Sequence, residues 1–536
     1  MASCPALESL VAASPRLLSA SELHARLELL EKLQRTYRTE LQRRPSHCRP
    51  PPPKRTAATP TTPTETSLLS LPPEMIARAL SYLCATSLAA CAQVSVAFHR
   101  GDEPGAVPAQ GLVEQALRLR AAEAGRAVPA ALSEGEVSWL QWLLWQDFLN
   151  EAHHRPPVVA AGYAHTLFID AERRLLSCGG GGDDPSIWGV ELGHGDDVEE
   201  VRVPTLISSM QGVRVSTVAA SKDISLVVSE VGQLYSWGRG MLGHGGATDD
   251  EGHEVRAVPT LVATLSAMPV RSVAVSDQHI LALTVSGDLY SWGVGPPHGH
   301  GTWTPQFMPK RVEALQERVC DVAAGGAHSL AVTSSGALYS WGCGHNGRLG
   351  HGDEDDQLLP KRVEGLQERV RGVAAGDVHS LAVTSSGAVY SWGYGSDGRL
   401  GHGDEDGQLL PKRVEGLQER VCSVAAGESH SLAVTSTGAV YSWGADDCGQ
   451  LGDGSNEDKL LPTLVTGLHE AGERVCAVAA GAGHAIATTS GGRVWGWGYG
   501  EDASLGLELD DHQRTPLQYP ALRVAMPHSG CLDSLA

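Results

Sequence analysis

The 536-residue chain is poor in aromatic residues, which make up 5% of it, and it has only four phenylalanines. No apolar run is long enough to suggest a membrane span. The chain also lacks a Gly-x-x-x-x-Gly-Lys-Ser/Thr loop for nucleotide phosphates and a Gly-x-Ser-x-Gly element for a nucleophilic serine. These absences argue against a membrane protein, a P-loop enzyme and an α/β-hydrolase. We expect a non-enzymatic protein that needs no cofactor.

The eleven cysteines include no Cys-x-x-Cys pair. Cys320, Cys422 and Cys476 recur at one point of an internal repeat, so the repeat itself would hold Cys320 and Cys422 too far apart for a disulfide. No secretory signal is recognisable at the amino terminus. Together these features predict a reducing compartment, the cytoplasm and/or the nucleus.

A repeat of about fifty residues occupies the C-terminal two-thirds of the chain. The unit at residues 311–361 and the next unit, 362–412, differ at only ten of 51 positions. Two markers, VAAGxxHSLAVT and YSWG, each give seven units, with the second marker at Trp188, Trp237, Trp292, Trp341, Trp392, Trp443 and Trp497. A repeat of this length predicts a modular array that buries its core between neighbouring units.

Each unit has the pattern of short strands. VCDVAAG, HSLAVT and ALYSWG are rich in residues that suit a pleated sheet, and Ser-Gly is a hairpin signal. LLPKRV fits an outer strand, where the missing N–H of proline does least harm. Seven such units over residues 157–536, without a helical period between them, predict a mainly β fold, a closed seven-bladed β-propeller.

These units resemble the repeats of the regulator of chromosome condensation family. The second unit departs from the pattern with Ser221-Lys222-Asp223-Ile224 in place of Gly-x-x-His, and the first has Cys178-Gly179 where Trp-Gly is expected. Residues 519–526 resemble the strand before VAAG, and we expect them to complete the first blade. The Gly-Trp-Arg-His-Thr motif of a photoreceptor in this family is absent, which argues against that function.

The first 153 residues have a different composition. Residues 1–44 have a leucine period typical of a helical segment, and the Pro/Thr-rich residues 45–66 predict a disordered linker. Residues 101–153 predict a helical connector whose Trp-rich end packs on the chain itself.

Residues 67–100 resemble the F-box, a small helical module that binds a Skp adaptor. The Leu-Pro-Pro-Glu start of a helix and the apolar stripe after it carry this resemblance. It implies that eight residues contact the adaptor: Leu71, Pro72, Glu74, Ile76, Leu80, Leu83, Leu88 and Val94. Val94-Ser95 stands where the family has Val-Cys.

The formal net charge is −21, although residues 1–55 hold ten Lys/Arg against five Asp/Glu. Much of the negative charge lies in repeated loops that a propeller places on one face: Asp353, Glu354, Asp355, Asp404, Glu405 and Asp406. Such an acidic arc would repel DNA and suit a basic protein target. The alternative is that the arc serves only solubility.

Two series of histidines recur with the repeat. One lies in the Leu-Gly-His-Gly loops and the other at the start of HSLAVT. A metal site needs ligands that converge on one point, whereas repeat symmetry disperses these around a ring. We therefore interpret both series as structural.

Two functions remain. In the first, the chain is the substrate-recognition subunit of a Skp–cullin–F-box ubiquitin ligase, with the F-box on the adaptor and the propeller on the target. In the second, the propeller is a guanine-nucleotide exchange factor or chromatin-associated regulator of a small GTPase. The units between Pro269 and Pro462 contain no long insertion to act as the wedge that exchange in this family requires. A simple propeller scaffold is a further alternative.

Overall fold

The structure is a computed structural model that describes residues 157–180, 189–246, 249, 252–508 and 511–525. The segments 1–44, 45–66, 67–100 and 101–153 lie outside the described residues. Seven antiparallel sheets of four strands each account for all strands of the described residues. No helix among these residues has the length and apolar character needed to cross a membrane.

The sheets follow one another along the chain as blades 1 to 7. Blade 1 comprises β1 Val159–Ala161, β2 His165–Ile169, β3 Leu175–Gly180 and β4 Glu200–Leu206, and blade 2 comprises β5 Val215–Ala220, β6 Ile224–Ser229, β7 Leu234–Gly240 and β8 Glu254–Leu261. Blade 3 comprises β9 Val270–Val275, β10 His279–Thr284, β11 Leu289–Gly293 and β12 Gln306–Arg311, and blade 4 comprises β13 Val319–Ala324, β14 His328–Thr333, β15 Leu338–Gly342 and β16 Gln357–Arg362. Blade 5 comprises β17 Val370–Ala375, β18 His379–Thr384, β19 Val389–Gly393 and β20 Gln408–Arg413, and blade 6 comprises β21 Val421–Ala426, β22 His430–Thr435, β23 Val440–Gly444 and β24 Lys459–Leu464. Blade 7 comprises β25 Val475–Ala480, β26 His484–Thr489, β27 Arg493–Gly498 and β28 Gln513–Arg523. Short helical turns occur at Val190–Leu192, Ser208–Met210, Ala263–Leu265, Pro296–His298, His345–Gly347, Ser396–Gly398 and Thr466–Glu470.

The first strand of each blade packs against the first strand of the next, and β25 packs against β1, so the ring closes. This arrangement confirms the predicted seven-bladed propeller. The second strands, such as β14 and β18, are buried along their whole length, because both of their faces lie against neighbouring blades. A proline stands in every outer strand: Pro204, Pro259, Pro309, Pro360, Pro411, Pro462 and Pro516. Proline without an N–H blocks pairing of these exposed edges with another chain.

A hydrogen-bond relay joins neighbouring blades. Nε2 of His328 in blade 4 lies 2.8 Å from Oγ of Ser380 in blade 5. Ser380 Oγ donates to the carbonyl oxygen of Arg348 in the blade 4 loop at 2.8 Å, and Trp392 Nε1 donates to the same oxygen at 2.9 Å. Because the serine gives its one hydrogen to that carbonyl, the histidine carries its proton on Nε2 and donates it to the serine. The three side chains are fully buried.

The same histidine-to-hydroxyl bond occurs at five of the seven blade interfaces, at 2.6 to 3.0 Å: His165–Ser225, His279–Ser329, His328–Ser380, His379–Ser431 and His484–Thr166. Thr166 belongs to blade 1, so the last of these bonds joins blade 7 to blade 1. The sequence markers VAAGxxHSLAVT and YSWG thus encode one inter-blade contact, since they supply its histidine, serine and tryptophan.

Two interfaces depart from the relay. Between blades 2 and 3, Ile224 replaces the histidine and Ile280 the serine, and both isoleucines are buried in one apolar cluster. Between blades 6 and 7, His430 is present but Ala485 stands in the place of the serine. Within the described residues neither ring nitrogen of His430 has a hydrogen-bond partner. The double replacement preserves packing, whereas the single one leaves a buried polar group unsatisfied.

Blade 1 has the Cys178-Gly179 departure noted in the sequence at the tryptophan position. Cys178 pairs with Thr166 across β2 and β3, as Trp341 pairs with Ser329 in blade 4. The fully buried Cys178 therefore occupies the tryptophan position, and Trp188, counted as the marker, lies outside the described residues. The six cysteines in the described part of the chain are free thiols.

The C-terminal segment closes the ring. Val524 bridges to Asp170, Ala525 N donates to Ile169 O at 3.0 Å, and Val524 N donates to Gly492 O at 3.0 Å. In blade 4 the first residue of the first strand, Val319, pairs in the corresponding way with Thr333. The first strand of blade 1 is thus shared by residues 524–525 and β1. Tyr519, expected in blade 1, lies in β28 of blade 7. Its buried ring packs edge-on against Phe168 of blade 1, with 5.5 Å between the two ring centroids.

We expect Ala485→Ser to stabilise the propeller by about 1 kcal/mol, because its hydroxyl would accept from His430 and donate to the Gln450 carbonyl. Trp497 Nε1 already donates to that carbonyl at 2.9 Å. The control is Ala487→Ser, on the same strand and equally buried, which should destabilise. Urea unfolding of the two variants measures the difference. Equal effects of both serines would contradict the relay.

The buried histidines at the blade interfaces also make stability depend on pH. Burial lowers the pKa of His165, His279, His379 and His430 to about 3 and that of His484 to about 4. The unfolded chain, with histidine pKa near 6.5, therefore binds more protons than the folded chain in mild acid. Stability is fully present above pH 6.5 and falls as the pH drops toward the folded pKa. Glu191, whose pKa burial raises to about 7, acts in the opposite direction, but it is one group against five histidines.

We expect the free energy of unfolding to decrease between about pH 6.5 and pH 5, by up to about 1.4 kcal/mol per pH unit for each buried histidine. Urea midpoints across this range, together with calorimetric proton uptake on unfolding, measure the effect. A stability that stays constant from neutral pH to pH 5 would show that these rings are not held neutral.

Candidate functional site

Because successive strands of a blade are antiparallel, the turn between its first and second strands and the loop between its third and fourth strands lie at the same face. We call this the loop face. The hairpins between second and third strands, and the connections to the next blade, lie at the opposite face. The loop face therefore collects the longest connections of every described blade, and these are the segments in which the repeats differ most.

The predicted acidic residues lie in the loops of blades 4 and 5, at equivalent positions on the loop face. Asp353 and Asp404 are partly neutralised, since their carboxylates lie 3.9 and 3.8 Å from Nζ of Lys361 and Lys412. Each also accepts a backbone N–H two residues on, at 3.3 Å, which orders the turn. The other four predicted residues are exposed on the surface: Glu354, Asp355, Glu405 and Asp406.

Carboxylates also surround the axis of the propeller on this face. Asp277, Asp377 and Glu428 lie in the turns between the first and second strands of blades 3, 5 and 6. Burial raises the pKa of Glu428, and Asp377 and Asp277 raise it further, while Arg399 and Lys222 act against them. Carboxylates of the loop face thus lie at its centre as well as at its rim, and Lys222 and Arg399 partly offset those at the centre. Sequence reasoning missed these residues because they occupy the variable positions of Gly-x-x-His.

Trp303 is the second feature that sequence reasoning missed. It lies in the loop of blade 3, at the position that Glu354 and Glu405 occupy in the next two blades. Six tryptophans at the repeat position are fully buried (Trp237, Trp292, Trp341, Trp392, Trp443 and Trp497), whereas Trp303 is 60% exposed. Covering such a ring is worth about 2–4 kcal/mol. The signal in the sequence was the departure of GHGTWTPQ from GHGDEDDQ.

Two further apolar side chains are exposed on the outer strands next to the loop that carries Trp303. Phe307 is the second residue of β12 and is 44% exposed. Leu359 lies on β16 of the next blade and is 50% exposed. Gly301 N donates to Leu358 O at 2.9 Å, so the loop that carries Trp303 is bonded to β16. Lys361, the partner of Asp353, lies on that same strand. An apolar patch from blades 3 and 4 therefore adjoins the acidic loops.

The histidines of the Leu-Gly-His-Gly loops act within their own blades. In blades 1 to 5 the Nε2 atom lies 2.9 to 3.0 Å from the serine Oγ of the third strand: His194, His244, His300, His351 and His402. One other group could hold a cation, since Glu501, Asp511 and His512 bring their ligand atoms within 4.8 Å of one another in the blade 7 loop. Exposed carboxylates often converge without an ion, and we build no function on this group.

The eight residues assigned to adaptor binding lie outside the described residues: Leu71, Pro72, Glu74, Ile76, Leu80, Leu83, Leu88 and Val94. Their role stays a prediction from the sequence. The described part of the chain provides the second half of the predicted arrangement, a rigid propeller with a charged face.

Comparison with known proteins agrees with the fold. The model of the RCC1-like domain matches residues 187–531. The ultraviolet-B receptor UVR8 of Arabidopsis thaliana is 34% identical over 392 residues, which cover 71% of this chain and 86% of the receptor. The human E3 ubiquitin-protein ligase HERC2 is 38% identical over 365 residues, which cover 66% of this chain but only 7% of HERC2.

Among solved structures, Prp20p from Saccharomyces cerevisiae superimposes with a TM-score of 0.53 at 26% identity. The match covers 60% of this chain and 80% of the Prp20p chain, whose structure was described with its binding to Gsp1p and histones. These similarities concern the propeller, and among these proteins Prp20p is one studied for its binding to other proteins.

We expect the quadruple change Glu354→Gln, Asp355→Asn, Glu405→Gln and Asp406→Asn to weaken binding of an oligolysine peptide about tenfold and to flatten its salt dependence. The matched control removes four exposed carboxylates at the opposite face: Glu313→Gln, Glu364→Gln, Glu415→Gln and Glu470→Gln. Titrations at two salt concentrations compare them. Equal losses for both variants would mean that only net charge matters and that the acidic arc is a solubility feature.

Proposed function

The chain belongs to the RCC1-like domain family, and from that premise we propose that it is a non-catalytic substrate-recognition subunit of a Skp–cullin–F-box ubiquitin ligase. The observation that carries the proposal is the order of its parts. The segment at residues 67–100, whose sequence resembles the F-box, precedes a propeller that exposes charged loops on one face. The first would bind the Skp adaptor, and through it the cullin, while the second would bind the target.

The described propeller suits the role of a receptor. Its buried histidines, serines and tryptophans bond to one another and to backbone carbonyls, so the repeat supplies stability rather than chemistry. Its loops then remain available for recognition. Ubiquitin transfer would take place on other subunits, and this chain would contribute by holding a target lysine close to the charged conjugating enzyme, which raises the effective concentration of that lysine. Such a complex would work in the cytoplasm or the nucleus.

The similarity to HERC2 supports a propeller in ubiquitin biology only in part. HERC2 is an E3 ubiquitin-protein ligase, but this chain covers 7% of its length. Its ligase activity is therefore not transferred to this chain, and the proposal rests on the F-box-like module instead.

A second candidate function is regulation of a small GTPase, by nucleotide exchange or on chromatin. The observation that favours it is the match to Prp20p, a protein studied for binding to Gsp1p and histones. The described loops weigh against it, because those of blades 3, 4 and 5 span residues 294–305, 343–356 and 394–407 and none carries a long insertion. We therefore place this function second.

Co-purification with a tagged Skp adaptor tests the proposal. Wild-type chain should be retained, and deletion of residues 66–100 should abolish retention. Leu80→Asp with Leu83→Asp should lower retention at least a hundredfold, because a buried unpaired charge costs about 3–5 kcal/mol. The matched control is Ser81→Asp, which puts the same charge on the expected polar side of the helix.

Retention that survives the double aspartate change would contradict the ligase function. Failure of even the wild-type chain to bind the adaptor would do the same, and nucleotide exchange on small GTPases would then be measured.

A further inference from the structure

We propose that blades 3 to 5 form a docking surface for an extended, basic segment of a target protein, with a large apolar side chain of that segment packed on Trp303. The inference rests on the proposed role of the propeller as the target-binding part. It adds the place of binding and the chemistry of the segment that binds.

The anchor of this surface is apolar. Single exposed hydrophobic residues are normal on any protein, but here three belong to adjoining elements of blades 3 and 4. Trp303 and Phe307 come from the loop and outer strand of blade 3, and Leu359 of blade 4 lies beside Gly301 of the Trp303 loop. The Trp303 ring is outside the buried clusters that stabilise the neighbouring blades. Tryptophan in such a position is among the residues that contribute most to protein interfaces.

The surface continues as a line of negative charge. The Trp303 loop is bonded to β16 through Gly301 N and Leu358 O, and the acidic loop of blade 4 meets β16 through Asp353 and Lys361. Beyond it, the equivalent loop of blade 5 repeats the same exposed carboxylates. Glu354, Asp355, Glu405 and Asp406 therefore follow Trp303 around the rim of the loop face.

Charge complementarity selects the occupant. A segment that covers Trp303 and runs over blades 4 and 5 meets four exposed carboxylates, with Asp277, Asp377 and Glu428 farther in at the axis. Lysine or arginine side chains after the apolar residue would pair with the rim carboxylates, while an acidic segment would be repelled. A nucleic acid would be repelled as well. The occupant is therefore a basic peptide segment with an apolar anchor.

Selection from a displayed library of random peptides tests this chemistry without a known target. The full chain is immobilised, enriched peptides are synthesised with a fluorescent label, and their affinities are measured by anisotropy. We expect enriched peptides to be net positive and to contain an aromatic or large aliphatic residue. Trp303→Ala should weaken them at least tenfold, equivalent to about 1.4 kcal/mol.

The control for Trp303→Ala is Leu206→Ala, which removes a side chain that is 43% exposed on blade 1, away from blades 3 to 5, and should leave binding unchanged. The charge change at Glu354, Asp355, Glu405 and Asp406 should weaken the peptides and lower their salt dependence. Thermal unfolding of each variant verifies the fold. Enrichment of acidic or uncharged peptides, equal losses for the two apolar variants, or no enrichment at all would overturn the docking surface.

Adaptor binding separates this inference from the proposed function. Trp303→Ala should still co-purify with the Skp adaptor, since the adaptor contact is assigned to residues 67–100. A chain that binds the selected peptides through Trp303 but never binds the adaptor would keep the docking surface and remove the ligase function. A chain that binds the adaptor but shows no Trp303-dependent peptide binding would do the reverse.

Discussion

The hydrogen bond from a buried histidine to a hydroxyl of the next blade is the contact on which the rest of the structure depends. A blade of four short strands has too little area to bury a core of its own, so each depends on its neighbours. The relay fixes how neighbours meet, because histidine, serine, tryptophan and one loop carbonyl must all lie in register. The relay also anchors the loop of the preceding blade, because the serine donates to a backbone carbonyl of that loop, as at Arg348 and Arg399.

This internal use of polar groups explains where function can reside. The repeated histidines, serines and tryptophans bond inside the ring, so they cannot at the same time distinguish one target from another. Recognition falls to positions that the relay leaves unconstrained, namely the tips of the loops and the turns at the axis. Trp303, which replaces a carboxylate of the repeat, and the exposed carboxylates after it are such positions.

The periodic features could be predicted from the sequence because they recur. Seven blades, the strand order, the outer prolines and the structural histidines follow from comparing one unit with the next. Single features were harder to predict. In blade 1 the sequence shows Cys178-Gly179 where Trp-Gly is expected but also offers the nearby Trp188, and the strand pairing is what places Cys178 at the tryptophan position. The difference between Asp353, which is paired with Lys361, and the exposed Glu354 depends on where Lys361 reaches, and only three-dimensional structure shows that. The F-box-like module stays a prediction.

Native-state hydrogen exchange, followed blade by blade, tests the central role of the relay most directly. Opening of an interface should be governed by whether its relay is complete. The account predicts that the interface of blades 6 and 7, where His430 lacks its serine, exchanges faster than the interface of blades 4 and 5, with its complete His328–Ser380 bond. Equal protection of these two interfaces, or slower exchange between blades 6 and 7, would contradict it.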